Sequence, residues 1–271
     1  MTPARRRRWV DYLREHYGAS VRLACEVAGI SRSSYGYTHI RVDDNALIDA
    51  ILALVERHPR WGFPKVRKRL RRLGHLWNHK RIYRVYRELR LNIRRKAKRR
   101  LPTRHPRPLV VPAKVNVCWS IDFMSAVLRH GHRFRTFNVV DDFNREALTI
   151  DINSGITAER VVTMLERVIA WRGAPDFIRV DNGSEFTSGA FTDWAIRRGI
   201  EIDFVQPGCP YQNGYIERFN RTYREDVLDL YLFETLQEVR EITDEWVDLY
   251  NYERPHDSLN NMTPKEYLEA A

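Results

Sequence analysis

The sequence predicts an α/β protein: a mixed sheet with helices on its faces, preceded by small all-α units. Three observations carry that expectation. From residue 115 onward, strand-like and helix-like segments alternate in the order β-β-β-α-β-α-β-α. Residues 9–92 show only helical periodicity. Between the two lies a stretch of Arg, Lys and Pro that suits neither. The expected organisation is a helix-turn-helix over 1–40, a second helical DNA-binding unit over 43–93 and a basic Pro-rich linker over 94–112. A mixed α/β core is expected over 113–230, with a helical extension over 231–271.

The first short helices are expected within residues 9–37. Ser20 is a suitable N-cap for Val21–Ala28, Gly29 breaks that helix, and Ser31 can cap Arg32–Tyr35. That is a helix-turn-helix pattern. In the second unit Leu47, Ile48, Ile51, Leu52 and Val55 form one apolar stripe. Val66, Leu70 and Leu73 mark a helix that Gly74 ends. Asn78 can cap another, with Ile82, Val85 and Leu89 inward. Its remaining faces carry His79, Lys80, Arg81, Arg84 and Arg87 with Tyr83 and Tyr86 among them, a pattern suited to groove or phosphate contact. The linker holds Arg94, Arg95, Lys96, Lys98, Arg99 and Arg100, followed by Pro102, Pro106, Pro108 and Pro112. Like charge and repeated Pro disfavour packing there, so the segment is expected to lie along DNA phosphates.

In the core, strands are expected over 115–127, 133–143 and 146–153, with breaks at Gly131 and Asn144-Arg145. Val161, Met164, Leu165, Val168 and Ile169 mark a helix. Phe177–Val180 is a short strand, a helix follows around 188–199, and Ile200–Val205 is the last strand. Residues 234–250 form an amphipathic helix.

Charge narrows the class of partner. Residues 1–110 carry 29 Lys and Arg against 8 Asp and Glu, whereas residues 111–271 carry 17 against 27. A basic first part suits a polyanion such as double-stranded DNA, which carries one charge per roughly 1.7 Å. No run of 18 apolar residues occurs, which argues against a membrane-spanning helix. The Arg-rich N-terminus lacks the apolar stretch of a signal peptide. The expected location is therefore the cytoplasm. Cys25, Cys118 and Cys209 are few and far apart, so neither a disulfide framework nor a zinc site is expected.

Asp122, Asp181 and Glu217 are the candidate catalytic and metal-binding residues. Asp122 sits in the apolar Trp119–Phe123, Asp181 follows Phe177–Val180, and Glu217 lies in a helical segment. An unpaired carboxylate in an apolar strand is costly, so it wants a reason. Mg²⁺ or Mn²⁺ prefers hard oxygen ligands, and two such ions about 3.5–4 Å apart can serve an in-line displacement at phosphorus. At 3.6 residues per turn Asn213, Glu217, Asn220, Arg221 and Arg224 share one helix face; Ile216, Phe219, Tyr223, Val227 and Leu230 share another. Asn213, Arg221 and Arg224 are accordingly candidate DNA contacts, with the loop Gln206–Pro210 beside the site. Asp141, Asp142 and Glu185 compete for the acidic roles; the first two read as strand-end or turn acids, and Glu185 lies too near Asp181 to be an independent arm.

These motifs resemble the second-frame transposases of the IS-three insertion-sequence family, whose catalytic domain is similar to retroviral integrases. The resemblance rests on Trp119–Asp122, Asp181–Phe186, Gln212–Phe219 and the closing Tyr250–His256 with Leu259 and Thr263-Pro264. It implies an RNase H-like core with Asp122, Asp181 and Glu217 as a metal-binding triad, and a basic residue seven positions after the Glu, here Arg224. It further implies Mg²⁺-dependent cleavage and strand transfer at element ends, with water and then a DNA 3′-hydroxyl as nucleophiles, integrating the element into target DNA. Implied partners are double-stranded DNA, further copies of the chain on that DNA, and an upstream-frame protein or fusion. A simple nuclease of the same fold, and a DNA-binding regulator without catalysis, are the alternatives.

Overall fold

The computed structural model describes residues 1–37, 43–93, 111–206 and 210–271. The expected linker cations Arg94, Arg95, Lys96, Lys98, Arg99 and Arg100 lie outside the described residues, as do Pro207, Gly208 and Cys209 of the loop. Two compact units result, Met1–Ala46 and Leu47–Ala271. No described helix is long and apolar enough to cross a membrane.

The first unit contains α1 (Pro3–Tyr17), α2 (Val21–Ala28) and α3 (Arg32–Tyr35). α1 starts earlier than the apolar pattern from residue 9 implied. The side chain of Thr2 caps it by accepting from the Arg5 N–H, and Pro3 opens the helix, where a missing N–H costs nothing. Ser20 and Ser31 cap α2 and α3 through the N–H groups of Leu23 and Ser34. A small core of Val10, Ala24, Cys25 and Ala28 closes the unit.

The second unit begins with α4 (Asn45–Arg57), α5 (Phe63–Arg72) and α6 (His79–Glu88). Leu47, Ile51, Leu54, Trp61, Val66, Leu70, Ile82, Val85 and Tyr86 form their core. Three side chains differ from expectation. Leu52 is exposed, because one residue past Ile51 turns it about 100° off the stripe. Leu73 is exposed because it already sits at the C-cap of α5. Tyr86 is buried, four residues on from Ile82, and its hydroxyl donates to the Leu91 carbonyl at 2.8 Å.

A five-stranded sheet follows in the order β3-β2-β1-β4-β5. Its strands are β1 (Cys118–Val127), β2 (Arg133–Asp141), β3 (Ala147–Asn153), β4 (Phe177–Val180) and β5 (Glu201–Phe204). β1 runs antiparallel to β2 and parallel to β4; β2 is antiparallel to β3, and β4 parallel to β5. β1 starts three residues later than expected because Asn116 adopts φ 59°, and its amide is used by the Arg172 carbonyl and the Trp119 indole.

The pleat sends alternate residues to opposite faces. Trp119, Ile121, Phe137 and Val139 pack with α7 (Ala158–Arg172) and α8 (Gly189–Arg198). Met124, Phe134 and Val140 pack with α9 (Gly214–Tyr223) and α10 (Leu236–Asp248). α9 does not continue as one α-helix to residue 230: a π-helical turn occupies Arg224–Leu228. Val227 stays buried across it, while Leu230 is 37% exposed. A second π turn, Leu249–Glu253, ends α10, and α11 (Pro264–Glu269) follows with Thr263 and Glu266 closing a capping box. α4 and α5 meet this end of the chain, where Glu253 accepts from Arg57 at 3.1 Å and Arg69 at 2.8 Å.

Candidate active site

Strand register brings the two aspartates to one place. On the parallel pair β1 and β4, Ser120 stands opposite Arg179. Two residues further along each chain come Asp122, within β1, and Asp181, just past the end of β4. Asp122 also stands opposite Asn138 on β2, on the face that α9 covers. α9 lies there because Ile216, Phe219 and Tyr223, at helical spacing, are buried against the sheet. Glu217 is in its first turn and exposed.

Asp122 is the most perturbed of the three. Its Oδ1 accepts from the Phe123 N–H at 2.8 Å, and its Oδ2 accepts from the Asn220 amide at 2.7 Å. The Asn138 amide in turn donates to the Asn220 oxygen at 2.7 Å, so two buried amides form a chain ending on the carboxylate. Burial pushes the carboxyl up to about 6; the charges of Asp181 and Glu217 push the same way, against the two hydrogen bonds. Asp181 Oδ1 accepts from the Gly183 N–H at 3.0 Å, and a Cβ on Gly183 would stand 3.0 Å from that oxygen.

The competing acids are held differently. Asp142 is wholly buried, paired with Arg179 at 3.1 Å, and accepts from the Cys118 thiol. Asp141 ends β2 beside Arg172, at 3.6 Å, and caps the turn through the Phe143 N–H. Glu185 pairs with Arg135. Each therefore has an arginine partner. Among the described residues Asp122, Asp181 and Glu217 have no Lys, Arg or His within ion-pairing distance. Nor do any three His, Cys, Asp or Glu among the described residues converge closely enough to hold an ion. The aspartate oxygens are turned to backbone and amide donors, which relieves the repulsion of like charges.

The remaining candidates are scattered around this point. Asn213 is buried just before α9, and its side-chain oxygen has no partner among the described residues. Asn220, expected only as a face-mate of Glu217, is the direct partner of Asp122. The Arg224 guanidinium donates to the Ser125 carbonyl on β1 at 3.1 Å, and Arg221 is exposed. Lys80 and Arg84 are exposed on α6, Arg84 paired with Glu88 at 3.2 Å, while Arg81 is half-buried. Asn138 and Asn220 were the residues that sequence reasoning missed as a pair. The available signal was an Asn between Phe137 and Val139 in a strand that is otherwise apolar around it.

Comparison with known proteins agrees with this architecture. The integrase core domain family matches residues 112–210 and again 198–264, and an HTH-like domain family matches 42–99. An uncharacterized 39.2 kDa protein of insertion element IS476 from Xanthomonas euvesicatoria is 35% identical over 268 residues, 98% of this chain and 78% of that protein. An uncharacterized 31.7 kDa protein of insertion element IS407 from Burkholderia multivorans is 38% identical over 256 residues, 94% and 92% of the two chains. Among solved structures, a chain of the simian T-cell lymphotropic virus intasome in complex with PP2A regulatory subunit B56 gamma is similar at 16% identity and TM-score 0.49, over 82% of this chain and 75% of that one. The helical first part, the integrase core and near full-length identity to insertion-element proteins place the chain in the IS-three family of insertion-sequence transposases, proteins of DNA integration.

Proposed function

We propose that the protein is a DNA transposase that cleaves and joins strands at the ends of its element by metal-dependent phosphoryl transfer. The observation that carries the reading is the set of three carboxylates without a cationic partner among the described residues. Asp122 lies within β1 and Asp181 just past the end of the neighbouring β4, and the charges of Asp181 and Glu217 both act on Asp122. A carboxylate pushed upward by like charges is relieved by a cation, and an all-oxygen donor set suits Mg²⁺ or Mn²⁺. Asp122, Asp181 and Glu217 would hold the metal, one or two ions, with the side chains turning from their present donors. When bound, the metal supplies charge neutralisation at phosphorus and activation of the attacking hydroxyl.

The chain's own residues do the positioning. The Asn138–Asn220 pair fixes the rotamer of Asp122. The Gly183 N–H fixes Asp181. Arg221 and Arg224, one and two turns beyond Glu217, would hold the strand through its phosphates, with Asn213 beside them. Lys80, Arg81 and Arg84 on α6 and the linker cations would hold the flanking duplex. Water would cut first and the freed 3′-hydroxyl would then attack target DNA, so two element ends must meet, which favours assembly of several copies on DNA. An upstream-frame partner, in the cytoplasm with the nucleoid, belongs to the same reading.

The test is strand joining by the purified chain with a labelled element end, a target duplex and Mg²⁺ or Mn²⁺. Cleaved and joined products are expected from the wild type, and neither from Asp122→Asn, Asp181→Asn or Glu217→Gln, with DNA binding kept. Cleavage without joining would make the protein a nuclease. Full activity in any one of the three variants would remove the triad.

A further inference from the structure

α9 borders more than the carboxylates. It carries Glu217 toward them, and Tyr215, Arg218 and Thr222 line a separate cavity of about 420 Å³. Lys65 of α5, Arg145 of the turn between β2 and β3, and Arg254 and His256 after the second π turn complete its polar wall. The acid that lines it, Asp257, is already paired with Lys68, and Arg254 is paired with Asp226. Lys65 and Arg218 have no ion-pair partner among the described residues.

Two buried polar atoms at this cavity are unsatisfied among the described residues. Arg145 is only 8% exposed, and its Nη1 has no hydrogen-bond partner. Its guanidinium lies 3.5 Å from the centre of the Tyr215 ring. Arg145 also holds φ at 61°, unusual for a residue with a side chain. His256 Nε2 is likewise without a partner. Burial, and then Arg254, lower the Lys65 ammonium to about 7 and the His256 ring to about 3, with Asp226 and Asp257 only partly offsetting the fall at Lys65.

An unpaired buried cation such as Arg145 is costly, and with Lys65 and Arg218 beside it the cavity calls for an anion. Guanidinium and ammonium groups together suit a phosphate, and the volume leaves room for the sugar attached to one. We propose that Lys65, Arg145, Arg218 and His256 form a phosphate pocket that takes a backbone phosphodiester of the bound DNA strand. This inference rests on the transposase reading, which supplies the strand.

The experiment uses the full chain in EDTA, so no turnover is needed. Binding of a labelled element-end duplex is measured over a salt series for wild type, Lys65→Gln and Arg218→Gln. Arg218 is exposed, so its variant keeps the fold even if the half-buried Lys65 variant does not. Each variant is expected to bind more weakly and to lower the slope of log K against log salt by about 0.9, one phosphate contact. A parallel arm titrates inorganic phosphate and follows thermal stabilisation. Variants that lose phosphate stabilisation but keep the wild-type DNA slope would show a free-phosphate site and overturn the DNA assignment. Variants unchanged in both arms overturn the pocket while leaving the transposase reading intact. Failure of the wild type to bind duplex at all overturns both.

Discussion

Asp122→Asn should stabilise the metal-free protein while it destroys activity. In the folded chain the Asp122 carboxyl titrates at about 6 against an ordinary 3.8, chiefly because burial disfavours its charge. That difference of about 2 units corresponds to roughly 3 kcal/mol, at about 1.4 kcal/mol per unit. The sign follows from linkage. A carboxyl raised in the folded state carries no penalty below about pH 4, where it is protonated folded and unfolded, and the full penalty above about pH 6. Asparagine imitates the neutral acid, so the variant escapes the penalty at high pH only. Allowing for the part of Asp122 that solvent reaches, the expected gain at pH 8 is about 2–3 kcal/mol. With an m-value of about 3 kcal/mol/M the urea midpoint moves up by nearly 1 M. The assay is urea unfolding in EDTA, read from tryptophan fluorescence at pH 4 and pH 8; Trp119 lies in the same strand, wholly buried. An offset that is equal at the two pH values, or a destabilised variant at pH 8, would refute the account of Asp122 as a buried, crowded charge.

Adding Mg²⁺ at about 100 times its dissociation constant should stabilise the wild type by roughly 2.7 kcal/mol and leave Asp122→Asn nearly unmoved; thermal melting with and without EDTA checks this. Asn220→Ala removes the amide that favours the Asp122 charge and strands Asn138, so the carboxyl should titrate above its wild-type value, read by carboxyl-carbon NMR, at a cost in stability of about 1–3 kcal/mol. Arg179→Met leaves Asp142 buried without its cation and should cost about 3–5 kcal/mol in urea unfolding. Arg198→Ala, which breaks an exposed pair with Glu166, should change the same measurement little.

Much of the fold was legible because it rests on local rules. Ser20, Ser31 and Asn78 cap helices where hydroxyl or amide side chains precede apolar periodicity. Phe177–Val180 is a strand with the expected ends. What sequence spacing could not give was which faces meet. Tyr86 reads as a polar-face residue until the α6 stripe is seen to include the position four residues after Ile82. The face of α9 was counted on as one continuous helix, but the π turn at Arg224–Leu228 adds a residue to the turn and shifts everything after it. Asn220 lies on the face counted for Glu217, yet its neighbour on the sheet is set by strand order, which no periodicity encodes. The cavity beside α9 draws residues from positions 65 to 258, and no local pattern announces it.

What sets the three proposed metal ligands apart from the other acids of the core is electrostatic. Asp141, Asp142 and Glu185 lie as close to strand ends and turns as Asp181 does, and burial alone would favour Asp141 and Asp142, both wholly enclosed. Yet each of those three is answered by an arginine, so its charge is already spent within the fold. Asp122 is answered only by neutral donors, from Phe123 and Asn220, which hold its orientation without cancelling its charge. A site meant to accept a divalent cation needs that arrangement, because an arginine in the same place would compete with the metal for the oxygens. Supplying one artificially is therefore decisive: Asn220→Arg should pair with Asp122, pull its carboxyl below the ordinary range and abolish metal-induced stabilisation. If the metal still stabilises that variant as it does the wild type, Asp122 is not where the ion binds.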